Sequence, residues 1–439
     1  MERNGMKCRR FITIAISLFG LKMAASALSF TDVNTTLSDI FYTLSDDNEG
    51  TTSFRSLLIP FGGRTESLGN AYTGLCDDIS YLRYNAGGGC IQKETQFSLF
   101  HNSWIADSKL ETLAYTTRLK KMPHLGLGGY ISCFYVPFTE YNIFGDRVAS
   151  SYYTETVSAF NFSYNFLAGY DFKGLAFGGT LKAAWRGMPD FTDNNTNSVI
   201  LHSGLSQSAI AIMFDTGLVM QFNFLKFYSS RDPNVRIGIA AKNLGISYTG
   251  FGTGIKKDDP LPTEFSAGIS LKFIKPITLS LDFTQPVNLQ HISNYIIPSI
   301  ASGISFQFTS FLSLLGGFEL KGGNPRFSSG FEFEIEKIRL NFNYTLDLTS
   351  SRAPLNKLSL SAKILLGDKG RSLVDAEVDR LYQQGLHYYA EARWQDAIDV
   401  WNEALELNKR FDPAKLGIQS AQYQIDMFRM IEESLLLDN

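Results

Sequence analysis

The chain has 439 residues, of which 13% are aromatic, with 35 Phe and 20 Tyr, and only 19% are charged. A formal net charge of −3 without a basic cluster speaks against nucleic acid as a partner. Many aromatics and few charges suit β-strands with one apolar and one polar face better than a water-soluble helical protein, and one large barrel would absorb most of the length.

The chain opens with Lys7, Arg9 and Arg10, then an apolar run from Phe11 to Leu21, then Ala25-Ser26-Ala27. This is the layout of a secretory signal peptide over residues 1–27, cut after Ala27. The apolar run is too short for a spanning helix and is followed by Lys22. No later segment has about 18 uncharged apolar residues, which excludes a helical membrane protein. Cys76, Cys90 and Cys133 follow the signal. A Cys76–Cys90 bridge fits an oxidising periplasm, but the odd count leaves the pairing open, and no metal-ligand spacing is present.

Residues 28–93 form an N-terminal segment that is too irregular for a strand. From Phe54 to Cys90, glycines at 62, 63, 69, 74, 87, 88 and 89 alternate with Arg64, Glu66, Asp77, Asp78 and Arg83, and with Leu, Ile and Tyr. Glycines permit tight bends, and the charges can satisfy a polar interior. Lying immediately before the first strand, the segment is expected to fold back into the barrel as a hatch, with Leu68 to Tyr84 forming a short helix.

From 94 to 367 the period is two. In Phe331-Glu-Phe-Glu-Ile335, Glu336-Lys337, Ile338-Arg-Leu-Asn-Phe-Asn-Tyr344, apolar residues change parity across Glu336-Lys337. A two-residue hairpin there pairs Ile335 with Ile338, Phe333 with Leu340 and Phe331 with Phe342 on one face. The other face sets Glu334 against Arg339, a lumen charge pair, and Glu332 against Asn341. The same pattern at Ile269, Leu271, Phe273 and Ile277, Leu279, Leu281, Phe283 turns Ser270, Lys272, Thr278, Ser280 and Asp282 inward. A greasy face backed by a polar one is what a lipid-exposed strand with a wet or plugged interior needs.

Fourteen such segments are expected, near 95–102, 110–119, 125–137, 154–168, 172–185, 207–222, 234–245, 263–273, 277–285, 298–307, 312–321, 327–335, 338–347 and 356–366. Each is close to or longer than the ~9–11 residues a tilted strand needs to cross a bilayer. Links after the third, fifth, seventh and ninth read as long; those after the second, fourth, eighth, tenth and twelfth read as short, as in outer-membrane barrels with short periplasmic turns. An all-β membrane barrel of 14 antiparallel strands results, with both ends in the periplasm.

Leu58-Ile-Pro-Phe-Gly-Gly-Arg64, Leu68-Gly-Asn-Ala-Tyr72, Asp77-Asp78, Tyr84-Asn85, Asp215-Thr-Gly217, Asn243-Leu244-Gly245 and Leu261-Pro262 follow one another in a set order. Over roughly residues 50–366 the chain thereby resembles the FadL-like outer-membrane proteins, within them the treponemal FadL-like family and the PorV subunit of a bacterial secretion system. One departure is that Asn85-Ala86-Gly87-Gly88 stands where the family commonly has Asn-Pro-Ala-Gly. The resemblance implies a 14-strand barrel whose hatch shifts to pass long-chain fatty acids or other small hydrophobic solutes, released sideways into outer-membrane lipid. Phe61, Arg64, Leu68, Tyr72, Tyr84 and Asn85 are then the ligand or hatch positions.

After Leu366 the period changes to 3.6. Leu381, Gly385, Tyr388, Ala397, Trp401 and Ala404 have the spacing of one tetratricopeptide (TPR) repeat over residues 371–439, and Asp412-Pro413 opens a third helix. Such surfaces bind peptides or proteins, so a periplasmic protein partner is expected for this small all-α domain. Histidines at 101, 124, 202, 291 and 387 are scattered, and no HExxH, GxSxG or CxxC occurs. Neither an enzyme nor a metal or other cofactor is indicated. Two functions remain: a hatch-gated outer-membrane transporter, and a PorV-like assembly or secretion platform that recruits partners through its tail.

Overall fold

The computed structural model describes residues 52–437 apart from 106, 121, 143, 170–171, 194–195, 197, 229, 231, 291–295, 322–323 and 349–355. The signal-peptide reading of residues 1–27 lies outside the described residues.

Fourteen antiparallel strands make the wall. They are β1 (Gln96–Ser103), β2 (Lys109–Arg118), β3 (Leu125–Tyr141), β4 (Arg147–Phe166), β5 (Leu175–Gly187), β6 (Ala209–Phe222), β7 (Val235–Thr249), β8 (Thr263–Leu271), β9 (Ile277–Val287), β10 (Ser299–Gln307), β11 (Leu312–Lys321), β12 (Asn324–Ile335), β13 (Ile338–Asp347) and β14 (Lys357–Leu365). Each pairs with its neighbours in sequence, and β14 pairs with β1, which closes the sheet into an outer-membrane-type barrel. A two-residue strand, Lys256–Lys257, adds to the far end of β7. Closure removes every sheet edge, and no described helix is long and apolar enough to cross a membrane.

Alternation sets the two faces. Leu99, Leu113, Ile131, Phe160, Leu181 and Ile212 point outward from β1 to β6, and each is more than a third exposed. Their neighbours along each strand, such as Ser98, Thr112, Ser132, Asn161 and Thr180, are buried inside. The β12–β13 register is Phe331↔Phe342, Phe333↔Leu340, Ile335↔Ile338 and Glu334↔Arg339, the pairing that the change of parity at Glu336-Lys337 dictates.

At the near end, where β1 begins and β14 finishes, most links are short: 119–124, 167–174, 272–276, 308–311 and 336–337. The far end has the longer ones, 188–208, 250–262 and 288–298. One expectation fails there. Residues 138–153, read as a long loop, continue β3 and β4 as strands of 17 and 20 residues joined by a turn at 142–146. The extension pairs Val136 to Tyr141 with Tyr153 to Arg147 and has no other strand beside it. It encloses no bore, so its two faces no longer need to differ, and the alternation that marks a wall strand is lost.

Beyond the wall lie three helices, α3 (Arg371–Ala390), α4 (Trp394–Leu407) and α5 (Asp412–Leu437), numbered after two short turns in the bore, α1 (Arg64–Ser67) and α2 (Tyr81–Tyr84). Asp368 starts α3: its carboxylate accepts from the backbone N–H of Ser372 at 2.7 Å and of Gly370 at 2.9 Å. The Ser372 hydroxyl, then the N–H groups of Ser372 and Gly370, hold its carboxyl down to about 2. Trp401 is the centre of this small core, with Val378, Leu381, Ala397, Ala404 and Phe411 around it. Gly385 lies so close to the Trp401 indole that a Cβ would collide with it, and the indole N–H donates to the carbonyl of Tyr382 at 3.2 Å. Tyr388 packs half-buried at the edge of the same core.

Candidate functional site

Residues 53–92 lie inside the barrel, and nearly all of them are buried. The segment does not contain one helix between Leu68 and Tyr84; it bends through left-handed Gly69, Asn70 and Cys76, at φ 62°, 65° and 41°. A continuous helix would span too little of the bore, whereas bends let the backbone follow the wall. Cys76 and Cys90 are both buried as free thiols.

Polar groups of the wall hold the segment at many points. Asp282 of β9 accepts from the backbone N–H groups of Tyr72 at 2.8 Å and Thr73 at 2.6 Å. Glu155 of β4 accepts from the Ser56 N–H at 3.1 Å, and Ser359 of β14 from the Gly63 N–H at 2.9 Å. Asn161 of β4 donates to the Ala86 carbonyl at 3.0 Å, and Asn102 of β1 to that of Pro60 at 3.0 Å. Asn85 holds the last bend: its amide donates to the carbonyls of Thr73 at 2.9 Å and Leu218 at 3.1 Å and accepts from the Gly87 N–H.

Near the other side of the bore five charged groups and one phenol form a cluster. Arg64 donates to Glu332 of β12 at 2.7 Å and to Asp77 at 2.6 Å, and lies 3.9 Å from Asp78. Asp78 also pairs with Lys363 of β14. The Tyr72 hydroxyl sits 2.5 Å from Asp77 and 2.7 Å from Asp78. Two cations thus meet three carboxylates, with Tyr72 as an extra donor. In a low-dielectric interior each partner is needed to offset the desolvation of the others.

Glycines of the wall let the segment lie directly on the strands. A Cβ at Gly317 would fall on the backbone of Leu68 and Gly69, and one at Gly238 on the Thr73 carbonyl. Gly178 and Gly303 meet the segment's backbone in the same way, whereas a Cβ at Gly217 would first meet the Asn85 side chain and one at Gly268 that of Asp282 on the wall. Gly178 opposes Gly217, Gly238 opposes Gly268 and Gly303 opposes Gly317 across their ladders, so a smooth track runs around the wall.

Above the segment, at the far mouth, is a cavity of about 510 Å³. Leu58, Ile59 and Pro60 form its floor. Trp104, Ile105, Phe134 and Val136 form an apolar stretch of its lining; next to it, from β11 to β14, come Glu319, Lys321, Arg326 and Lys357, and Tyr153 and Glu155 of β4 flank its other edge. Lys357 lies 3.1 Å above the Trp104 ring centroid.

Of the six residues expected to form the ligand or hatch site, Tyr84 alone borders a cavity, a smaller one below the first. Arg64 and Tyr72 belong to the ion cluster, and Asn85 to the last bend. Phe61 packs on Phe100 and Tyr130 at ring separations of 5.3 and 4.8 Å, and Leu68 packs with Tyr72, Tyr84 and Leu315. Glu334 and Arg339 meet at 2.8 Å beside the 336–337 turn, half-exposed at the near rim; Glu332, one inward position deeper, is the residue that engages the segment. Sequence reasoning missed Lys363, Glu155 and the cavity residues Trp104, Phe134, Lys321 and Lys357. The inward parity of Lys363 and Glu155 within their strands was the available signal.

Two proteins of Treponema pallidum (strain Nichols), each a UPF0164 protein, are similar to this chain. One is 28% identical over 382 residues, covering 85% of this chain and 83% of its own length. The other is 25% identical over 391 residues, covering 86% and 76%. Among solved structures the chain is similar to the Ralstonia pickettii toluene transporter TbuX, with TM-score 0.45, 12% identity and coverage of 69% of this chain and 98% of that one. It is also similar to the CymD monoaromatic hydrocarbon channel (TM-score 0.46, 12% identity, 70% and 98%) and to a Pseudomonas aeruginosa FadL homologue (TM-score 0.40, 10% identity, 69% and 98%). Residues 30–369 match UPF0164, described as an uncharacterised protein family, and the chain belongs to that family.

Proposed function

We propose that the protein is an outer-membrane transporter for small hydrophobic solutes, long-chain fatty acids among them, with residues 53–92 acting as its hatch. The observation that carries this reading is a closed barrel whose bore is filled by a segment held through hydrogen bonds and ion pairs, beneath a cavity of about 510 Å³ at the far mouth. Beside its apolar packing on Phe100, Tyr130 and Val157, the segment is anchored by polar tethers that are exchangeable for water, which supports its release without unfolding of the wall. The near end faces the periplasm in this reading, with both termini, because its links are the shorter set. Solute enters from the far mouth and leaves after the hatch shifts. Liposomes containing the purified protein take up labelled oleate saturably, and a disulfide engineered between the segment and the wall stops uptake; absence of saturable binding and uptake removes the reading.

The tail serves as a periplasmic docking domain, TPR-like in its helix contacts. Leu416, Tyr423 and Met430 of α5 lie along one exposed face and support an assembly role of the PorV kind as the second reading. Pull-down with residues 371–439 against the full-length chain separates the two: a platform retains its partner through the tail, whereas a transporter without one still moves solute.

A further inference from the structure

Beneath the outer cavity lies a second one of about 50 Å³, and the two share Leu58, Pro60, Asn70, Glu319 and Lys321. Since about 10–15 Å³ of such space holds one water, the inner cavity has room for a compact polar group and none for a chain. Arg83, on α2, lines it and is only 6% exposed. Its guanidinium donates through Nε alone, to the Ile59 carbonyl at 3.4 Å, and Nη1 has no partner among the described residues. Lys321 of β11 also has no hydrogen-bond or ion-pair partner among the described residues. The carboxylates nearby are engaged: Glu264 pairs with Lys242 at 2.9 Å, and Glu319 accepts from Asn70 at 2.9 Å. Three cations, Arg83, Lys242 and Lys321, therefore face two carboxylates.

A buried guanidinium with donors unused is costly, and the paired oxygens of a carboxylate or a phosphate match its fork. We propose that the inner cavity binds the oxyanionic head of a single-chain amphiphile, a carboxylate or a phosphate, between Arg83 and Lys321. The chain then extends outward along Trp104, Ile105, Phe134 and Val136, so the solute enters head first. This rests on the transport reading and specifies its cargo and orientation. Arg83 belongs to the segment and Lys321 to the wall, so the bound head bridges the part that moves and the part that does not.

The test is titration of the full-length protein in nanodiscs with laurate, dodecyl phosphate and dodecanol, followed by calorimetry. Both anions are expected to bind about tenfold or more tightly than dodecanol, the worth of one charge-assisted hydrogen bond, and the stronger of the two identifies the head. Arg83→Gln and Lys321→Gln each reduce that preference; Lys321→Gln, on the wall, serves where Arg83→Gln disturbs the segment. Dodecanol binding as tightly as the anions, or both folded variants keeping the full preference, overturns the head site and leaves the transport reading standing. Binding of none of the three overturns both.

Discussion

Arg64→Gln tests whether the ion cluster keeps the N-terminal segment seated. The change removes contacts of 2.7 Å to Glu332, 2.6 Å to Asp77 and 3.9 Å to Asp78. Asp78 keeps Lys363, and Asp77 keeps the Tyr72 hydroxyl, but Glu332 loses its ion-pair partner while its side chain remains buried. Stranding a buried carboxylate costs about 3–5 kcal/mol. At about 1.4 kcal/mol per decade this shifts the balance between seated and released segment by about 10² to 10⁴. The variant should open in planar bilayers under conditions where the parent stays closed, and a protease should cut between residues 53 and 92. Replacing Glu332 as well, Arg64→Gln with Glu332→Gln, removes the stranded charge and should recover about 0.5–3 kcal/mol, the range of coupling for residues in contact. Conductance and cleavage of Arg64→Gln that match the parent would refute the reasoning.

Gly317→Ala should displace the segment, because its Cβ would fall on the Gly69 backbone nitrogen, whereas Gly316→Ala, whose Cβ meets only Ile304 at 3.4 Å, should be silent; protease sensitivity of both variants checks this. Trp401→Ala should cost the tail about 3–5 kcal/mol, lowering the helical melting transition seen by circular dichroism while the barrel transition stays in place. The carboxyl of Asp368 is depressed to about 2, below its value in the unfolded chain, so its support of α3 is complete above about pH 4 and fades as pH falls towards that lower value. Hydrogen exchange at the Gly370 and Ser372 amides should therefore quicken on acidification, and unchanged protection down to pH 2 would contradict the assignment.

The wall was legible because its physics is local. A residue facing lipid and its neighbour facing the bore alternate along a strand, and the change of parity at Glu336-Lys337 fixed a ten-residue ladder without reference to any other part of the chain. The 138–153 hairpin tip was not legible for the converse reason: beyond the closed wall neither face lines a bore, and Phe138, Tyr141 and Tyr152 follow no period. The charged residues of the N-terminal segment pointed to a plug, and Asp282 was recognised as inward. Their partners could not be read, since Asp78 and Lys363 are separated by 285 positions and meet only through the closure of the sheet. The cavities were hidden for a similar reason: Trp104, Phe134 and Lys357 come from three separate stretches, and none carries a mark beyond its parity.

The seam between the first and last strands has a consequence for assembly. Lys363 lies on the last strand of the wall, and its partner Asp78 lies in the stretch that precedes the first. Ring closure and the docking of that early stretch are thereby coupled: the stretch that takes water from the Lys363 ammonium also brings the carboxylate that replaces it. A chain lacking residues 53–92 should therefore seal its seam less firmly than the full chain.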